Sequence, residues 1–173
     1  NIGMRYALDN GCDYVFLLNQ DAWIEPNTIG ELVRIAEKYP NYGLLGPVQV
    51  NKEKTKVLNG VIQFLINPDN VNHKLFSDLI LGSVEDVYPV AEINAAAWLL
   101  PRKTLVEIGG FTPIFHQYAE DDDYINRVLY HHYKIGVCPS VMIVHNHQDS
   151  FSANIHKKSQ DSHLYIGDTG KMS

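Results

Sequence analysis

Cysteine is nearly absent: Cys12 and Cys138 are the only two, and they lie far apart. That excludes a disulfide-stapled scaffold and matches no zinc or redox spacing, so both are expected as buried free thiols in a reducing cytoplasm. Basic charge is also scarce, with 14 Lys and Arg against 20 Asp and Glu, a net charge of −6 and no basic stripe. This argues against a nucleic-acid partner. No apolar run approaches the ~20 residues of a membrane span, which leaves peripheral membrane contact as the only kind this stretch can make. No internal repeat or low-complexity tract is found, so solenoid architectures are excluded. What remains is 173 residues that are 45% hydrophobic, enough for a single domain with a sizeable core.

Periodicity gives alternating elements, the pattern of an α/β chain. Residues 4–10 read as the end of a helix capped by Gly11, and residues 13–18 as a strand. Pro26 opens a helix whose apolar face is Ile29, Leu32, Val33, Ile35 and Ala36, and Tyr39-Pro40 ends it. Residues 44–50, 57–65 and 93–100 read as strands, and residues 67–86 carry mixed signals. Residues 103–108 form a short helix stopped by Gly109-Gly110. Residues 121–133 form another, with Ile125, Val128, Leu129 and His132 on one face, followed by a strand over 136–144. Beyond Ser150 the chain turns polar, and residues 167–173 read as a frayed end.

The most informative stretch runs from Gly109-Gly110-Phe111 through Glu120-Asp121-Asp122-Asp123 to Arg127. Four consecutive carboxylates repel one another unless a helix N-terminus, a metal or a base-catalysed reaction stabilises them. An N-capping acidic turn on a solvated face is the plain alternative. The tight, aromatic approach through Phe111, Phe115 and Tyr118 suits a walled site better than a solvated surface.

Two further strand ends bear polar groups. The apolar run Tyr14 to Leu18, read as a buried parallel strand, stops at Asn19-Gln20-Asp21, and the carboxyl ends of such strands are where open α/β sheets place ligands. In extended geometry Asn19 and Asp21 share a face and could address one cation; a turn and helix cap is the simpler reading. The run Val137 to Val144 delivers His145 and His147, with Asp149 and Ser150 beyond. Either histidine or both could ligate a metal, or His145 could be a hydrogen-bonded residue at a strand end with His147 exposed.

The ordered set is Asn1-x-Gly3, Tyr14 to Leu18 with Asn19-Gln20-Asp21, Asn94 to Leu100 with Arg102, Gly-Gly-Phe through Tyr-x-Glu-Asp-x-Asp to Arg127, then His145 and Ser150. It resembles the inverting family 2 glycosyltransferases, in particular their bacterial rhamnosyltransferase-like branch, from residue 1 to about residue 152. The resemblance implies a GT-A-like (Rossmann-like), mostly parallel sheet flanked by helices, here one partial catalytic domain over residues 1–173. It implies a nucleotide-diphosphate sugar donor, a glycan or lipid-linked acceptor of surface polysaccharide synthesis, and a divalent cation, magnesium or manganese. By the same resemblance Asp21, with Asn19 in the weaker position, and His145 hold the metal. Asp121 is the base with Glu120 beside it, and Asn94, Ala96, Trp98, Tyr118, Asp123 and Arg127 border donor and acceptor. Residues 67–86 become an excursion over the acceptor side. Thr112-Pro113 and Pro101 depart from the family's usual residues and bear on loop shape.

The residue types suit that chemistry. Inverting transfer needs a general base for the acceptor hydroxyl and a cation against the diphosphate, with no protein nucleophile. A carboxylate at a helix start is kept anionic by the dipole, while like-charged neighbours push its pKa back up. Relatives of this kind open with a strand-helix-strand unit that holds the nucleoside, and none precedes Asn1 here. The expectation is a portion without the nucleoside pocket, inactive alone and prone to self-association through an open sheet edge, located in the cytoplasm or at the inner face of its membrane. Two rivals are a metal-dependent hydrolase using Asp21, His145, His147 and Asp121, and a non-catalytic sugar-binding module using Trp23, Trp98 and Tyr118 as stacking platforms.

Overall fold

The computed structural model describes residues 1–58, 61–62, 73–115 and 119–146. The elements among them are α1 (Ile2–Asp9), β1 (Tyr14–Leu18), β2 (Ala22–Ile24), α2 (Thr28–Lys38) and β3 (Tyr42–Val50), then α3 (His73–Leu81), β4 (Tyr88–Val90), β5 (Ala97–Pro101), α4 (Arg102–Ile108), α5 (Glu120–Tyr130) and β6 (Lys134–His145). The strands form one sheet in the order β1-β5-β3-β6-β2, with β4 also on β6. Mixed α/β is thus the fold class.

The sheet departs from the mostly parallel one expected. Among the described strands only β3 and β6 run parallel; β1–β5, β3–β5, β2–β6 and β4–β6 are antiparallel. Two of those pairings come from β2 and β4, strands of three residues each, too short to leave a periodic signal. Strand β1 also corrects its reading as a buried parallel strand. It pairs antiparallel with β5, Tyr14 opposite Pro101 and Leu18 opposite Ala97, stands at the end of the strand order, and is half-buried with Leu18 exposed. A five-residue apolar run suits a central strand or a half-buried edge equally well; its direction is set by a partner distant in sequence.

Central strand β3 is buried on both faces because its side chains alternate between two cores. Leu44 belongs to the core shared by Met4 of α1, Leu105 of α4, and Tyr124, Ile125 and Val128 of α5. Leu45 faces the opposite core, with Leu32, Ile35 and Ala36 of α2. Leu99 and Leu100 repeat the alternation on β5. Helices therefore cover both faces of the sheet. Burying Leu32 and Ile35 completely is worth about 1.5–3 kcal/mol each, and this burial holds α2 to its face.

Local signals explain the helix ends. In α2, Asn27 is the N-cap by position without a side-chain capping bond, and Glu31 in the first turn and Lys38 in the last are matched to the helix dipole. Pro26 precedes the helix instead of opening it. The C-terminus of α1 is held by Arg102, whose guanidinium donates to the carbonyls of Leu8 and Cys12. Helix α5 ends at Tyr130, short of the expected 133, because His132 takes a left-handed conformation (φ 62°). His132 therefore leaves the apolar face assigned to it.

Two expected strands change. Val57 makes an isolated bridge to Val50, residues 61–62 are helical, and the rest of 59–65 lies outside the described residues. Of 93–100, only the part from Ala97 onward is strand. Cys138 is buried as expected, whereas Cys12 is exposed because it follows the helix end at the Gly11 turn. No helix among the described residues is long and apolar enough to cross a membrane.

Candidate active site

The site is organised by the turn from Asn19 to Ala22. The Ala22 amide donates to the Asn19 carbonyl at 3.1 Å, closing a four-residue turn that reverses the chain from β1 into β2. Asn19 and Asp21 therefore do not share an extended face. The Asn19 amide donates to the Ala96 carbonyl at 2.9 Å and the residue lines a cavity on the β1 side. Asp21 is carried to the other side by β2, which pairs Ala22 with His145; the Asn146 amide donates to the Asp21 carbonyl at 2.9 Å. The Asp21 carboxylate and His145 Nε2 meet at 3.3 Å, with the histidine 5% exposed and the aspartate open to solvent.

The cavity at the other end of the turn has a volume of about 570 Å³. Asn19, Ala95, Glu120 and Asp121 contribute its polar and small walls, and Phe111 and Phe115 its aromatic ones. Helix α5 delivers the two acids. Its N-cap, Ala119, is left-handed at φ 66°, and all four carboxylates fall in the first turn, where the dipole favours anions. The four acids then divide their roles. Asp123 accepts from the Thr112 hydroxyl at 2.6 Å and from Arg127 Nε at 2.9 Å, and the Thr112 hydroxyl first, then Arg127, hold its carboxyl below the usual range. Asp121 accepts from the Asp122 amide at 3.0 Å. Glu120 keeps one carboxylate oxygen buried with no hydrogen-bond partner among the described residues, an expensive arrangement beside a cavity.

Other nominated residues lie outside the cavity lining. Arg127 donates to the carbonyls of Ile108 and Gly110 and lies 4.9 Å above the Tyr124 ring, so with Asp123 it ties the Gly-Gly-Phe turn to α5. Trp98 is fully buried, stacked on Phe111 at 6.3 Å and near Tyr124 at 6.1 Å, with its indole N–H donating to the Asn94 carbonyl. A side chain so enclosed cannot serve as an open stacking platform, which removes it from the rival sugar-module reading. Trp23 is 53% exposed on β2. Ala96 is buried, and its neighbour Ala95 faces the cavity in its stead. Tyr118, His147, Asp149 and Ser150 lie outside the described residues.

Gln49 was absent from the sequence-based candidates. It is 2% exposed in β3, and its Oε1 lies 3.0 Å from His145 Nδ1 while its Nε2 donates to Oδ1 of Asn94 at 3.1 Å. The signal was available: a single amide inside the otherwise apolar run Leu44-Leu45-Gly46-Pro47-Val48-Gln49-Val50. Through it Asp21, His145 and Asn94, nominated from three separate segments, are joined in one chain of polar contacts.

Among the described residues no group of three or more His, Cys, Asp or Glu side chains is placed to hold a metal. The pair that could contribute ligands is Asp21 with His145 Nε2, an oxygen and nitrogen donor set suited to manganese or zinc as well as magnesium through the carboxylate. The close approach of that nitrogen to a carboxylate fits a shared positive charge. No protein-family model matches this sequence, and none of the curated protein sequences compared with it matches significantly.

Proposed function

We propose that the chain is the catalytic part of a GT-A-type inverting transferase. It would move a sugar from a nucleotide-diphosphate donor to a glycan or lipid-linked acceptor in surface polysaccharide synthesis. The observation that carries this reading is the Asn19–Ala22 turn, which has a cation-suited pair, Asp21 and His145, at one end and a carboxylate-lined cavity at the other. An inverting displacement needs a base within reach of the acceptor hydroxyl and a cation at the departing diphosphate.

In the reaction the acceptor hydroxyl oxygen bonds to the anomeric carbon as the bond from that carbon to the diphosphate oxygen breaks. The nucleoside diphosphate leaves with the electron pair, and the hydroxyl proton passes to a carboxylate. Asp121, which lines the cavity beside Glu120, would take that proton. Asp21 and His145 would hold a divalent cation, which when bound offsets charge growing on the diphosphate. Phe111 and Phe115 give the cavity an apolar flank.

The test is Mn²⁺ added to ¹⁵N-labelled protein with and without uridine diphosphate. Paramagnetic broadening centred on Asp21, Ala22 and Asn146 and strengthened by the nucleotide supports transfer. Broadening centred on His147 favours the hydrolase, and sugar binding without any metal site favours the module.

A further inference from the structure

The hydrogen-bond chain behind the Asp21–His145 pair can be read from a fixed starting point, because a backbone N–H is always a donor. The Ala96 amide donates to Asn94 Oδ1 at 2.9 Å, so that atom of the Asn94 carboxamide is its oxygen. The main-chain carbonyl of Asn94 is a second acceptor on the same side. The atom of Gln49 that faces both, at 3.1 and 3.3 Å, must be the NH₂ group, and this places its Oε1 against His145. An acceptor at 3.0 Å from Nδ1 requires a proton on Nδ1. Nε2 is then the nitrogen left to face the Asp21 carboxylate, 3.3 Å away, and since neither a lone pair nor a carboxylate can donate, a proton or a metal cation belongs between them.

We infer that Gln49 is a positioning residue: held by Asn94, it fixes His145 in the Nδ1–H tautomer and so presents Nε2 and Asp21 together to one cation. The inference rests on the transferase reading for the purpose of that cation, while the tautomer itself follows from the hydrogen bonds. A carboxamide serves here as the outer partner that metal-binding histidines characteristically have on their second nitrogen. The same amide links the pair to the 94–98 segment, whose backbone carbonyl also receives the Trp98 indole N–H at 3.0 Å. Local shape on the donor side and ring orientation are thereby held by one side chain.

The experiment is ¹⁵N NMR of the imidazole nitrogens in the full chain, together with calorimetric titration by Mn²⁺ alone. Wild-type protein is expected to show a pyrrole-type Nδ1 at His145, with Nε2 pyridine-type wherever the ring is neutral. Gln49→Leu should lose that preference and bind Mn²⁺ about 10–100-fold more weakly. If the leucine variant fails to fold, the wild-type tautomer and the wild-type Mn²⁺ titration carry the test by themselves. An Nε2–H tautomer in wild type, or an unchanged tautomer in Gln49→Leu, overturns the inference and leaves the transferase reading standing. The expected tautomer with no Mn²⁺ binding overturns the cation role of the pair and the transferase reading with it.

Discussion

The side-chain amide of Asn1 grips the backbone of Phe111 from both sides: Nδ2 donates to the Phe111 carbonyl at 2.9 Å, and Oδ1 accepts from the Phe111 amide at 2.7 Å. Residues 110 positions apart are thereby paired as neighbouring strands would be, and the aromatic wall of the cavity is anchored to the start of α1.

The clamp requires glycine at position 110, where an added Cβ would stand 2.4 Å from Asn1 Oδ1. Gly110→Ala should push the exposed Asn1 side chain aside and break the pairing, at a cost of about 1 kcal/mol for the lost hydrogen bonds. Urea denaturation measures it, and a midpoint equal to that of wild type would show that the clamp contributes nothing.

The two cavity acids can be ranked by amide substitution. In a sugar-transfer assay Asp121→Asn should lower turnover by at least ~10²-fold with donor affinity kept, because an amide cannot accept the hydroxyl proton. Glu120→Gln should have the smaller effect on turnover. The reverse order would assign the base to Glu120, whose buried oxygen has no hydrogen-bond partner among the described residues.

Asp123 gives a pH signature. Its carboxyl is held below the ordinary range, first by the Thr112 hydroxyl and also by Arg127. A lowered folded-state pKa contributes stability that is present above the unfolded value of about 3.9 and lost as pH falls through the folded one. Thr112→Val should therefore destabilise by about 1 kcal/mol near pH 7, with the gap from wild type closing in acid. Stability curves at pH 7 and pH 3 that stay equally far apart would mean the threonine acts through packing alone.

The thiols should react one at a time. Cys12 is exposed, while burial pushes the Cys138 thiol up to about 12. Iodoacetamide at pH 8 should modify Cys12 in the native protein and reach Cys138 only after denaturation. Mass spectrometry of the native digest decides it, and early labelling of Cys138 would mean that the α2 side of the sheet opens readily.

Much of this was legible in the sequence where the cause is local. Helix α2 declared itself by its apolar spacing, α4 by the glycines that stop it, and α5 by its acidic first turn. Strand direction was not legible, since Tyr14 opposite Pro101 and Ala22 opposite His145 are choices made between distant segments. The site divides the same way. Asp21, Asn19, His145, Glu120 and Asp121 stood out by chemistry at element ends, but the extended reading of 19–21 failed because a three-residue strand follows and forces a turn. Gln49 passed as part of a buried strand, although a lone amide in apolar surroundings needs partners. Arg127 and Asp123 looked like ligand-facing charges, and their partners are backbone carbonyls and a hydroxyl that only the folded loop supplies.

Strand β6 carries a seam. Its register with β3 runs Pro47 to Cys138 and then jumps to Val48 with Met142, so residues 139–141 bulge between two separately laddered stretches. The lower stretch is gripped by β3 and β4, the upper by β3 and the short β2 that leads from Asp21. The bulge thus divides β6 into two stretches, each laddered on both sides, that can open separately. Amide exchange should be slow over 135–138 and measurably faster over 142–145. The end that carries His145 is thereby set apart by the bulge from the ladder over residues 135–138.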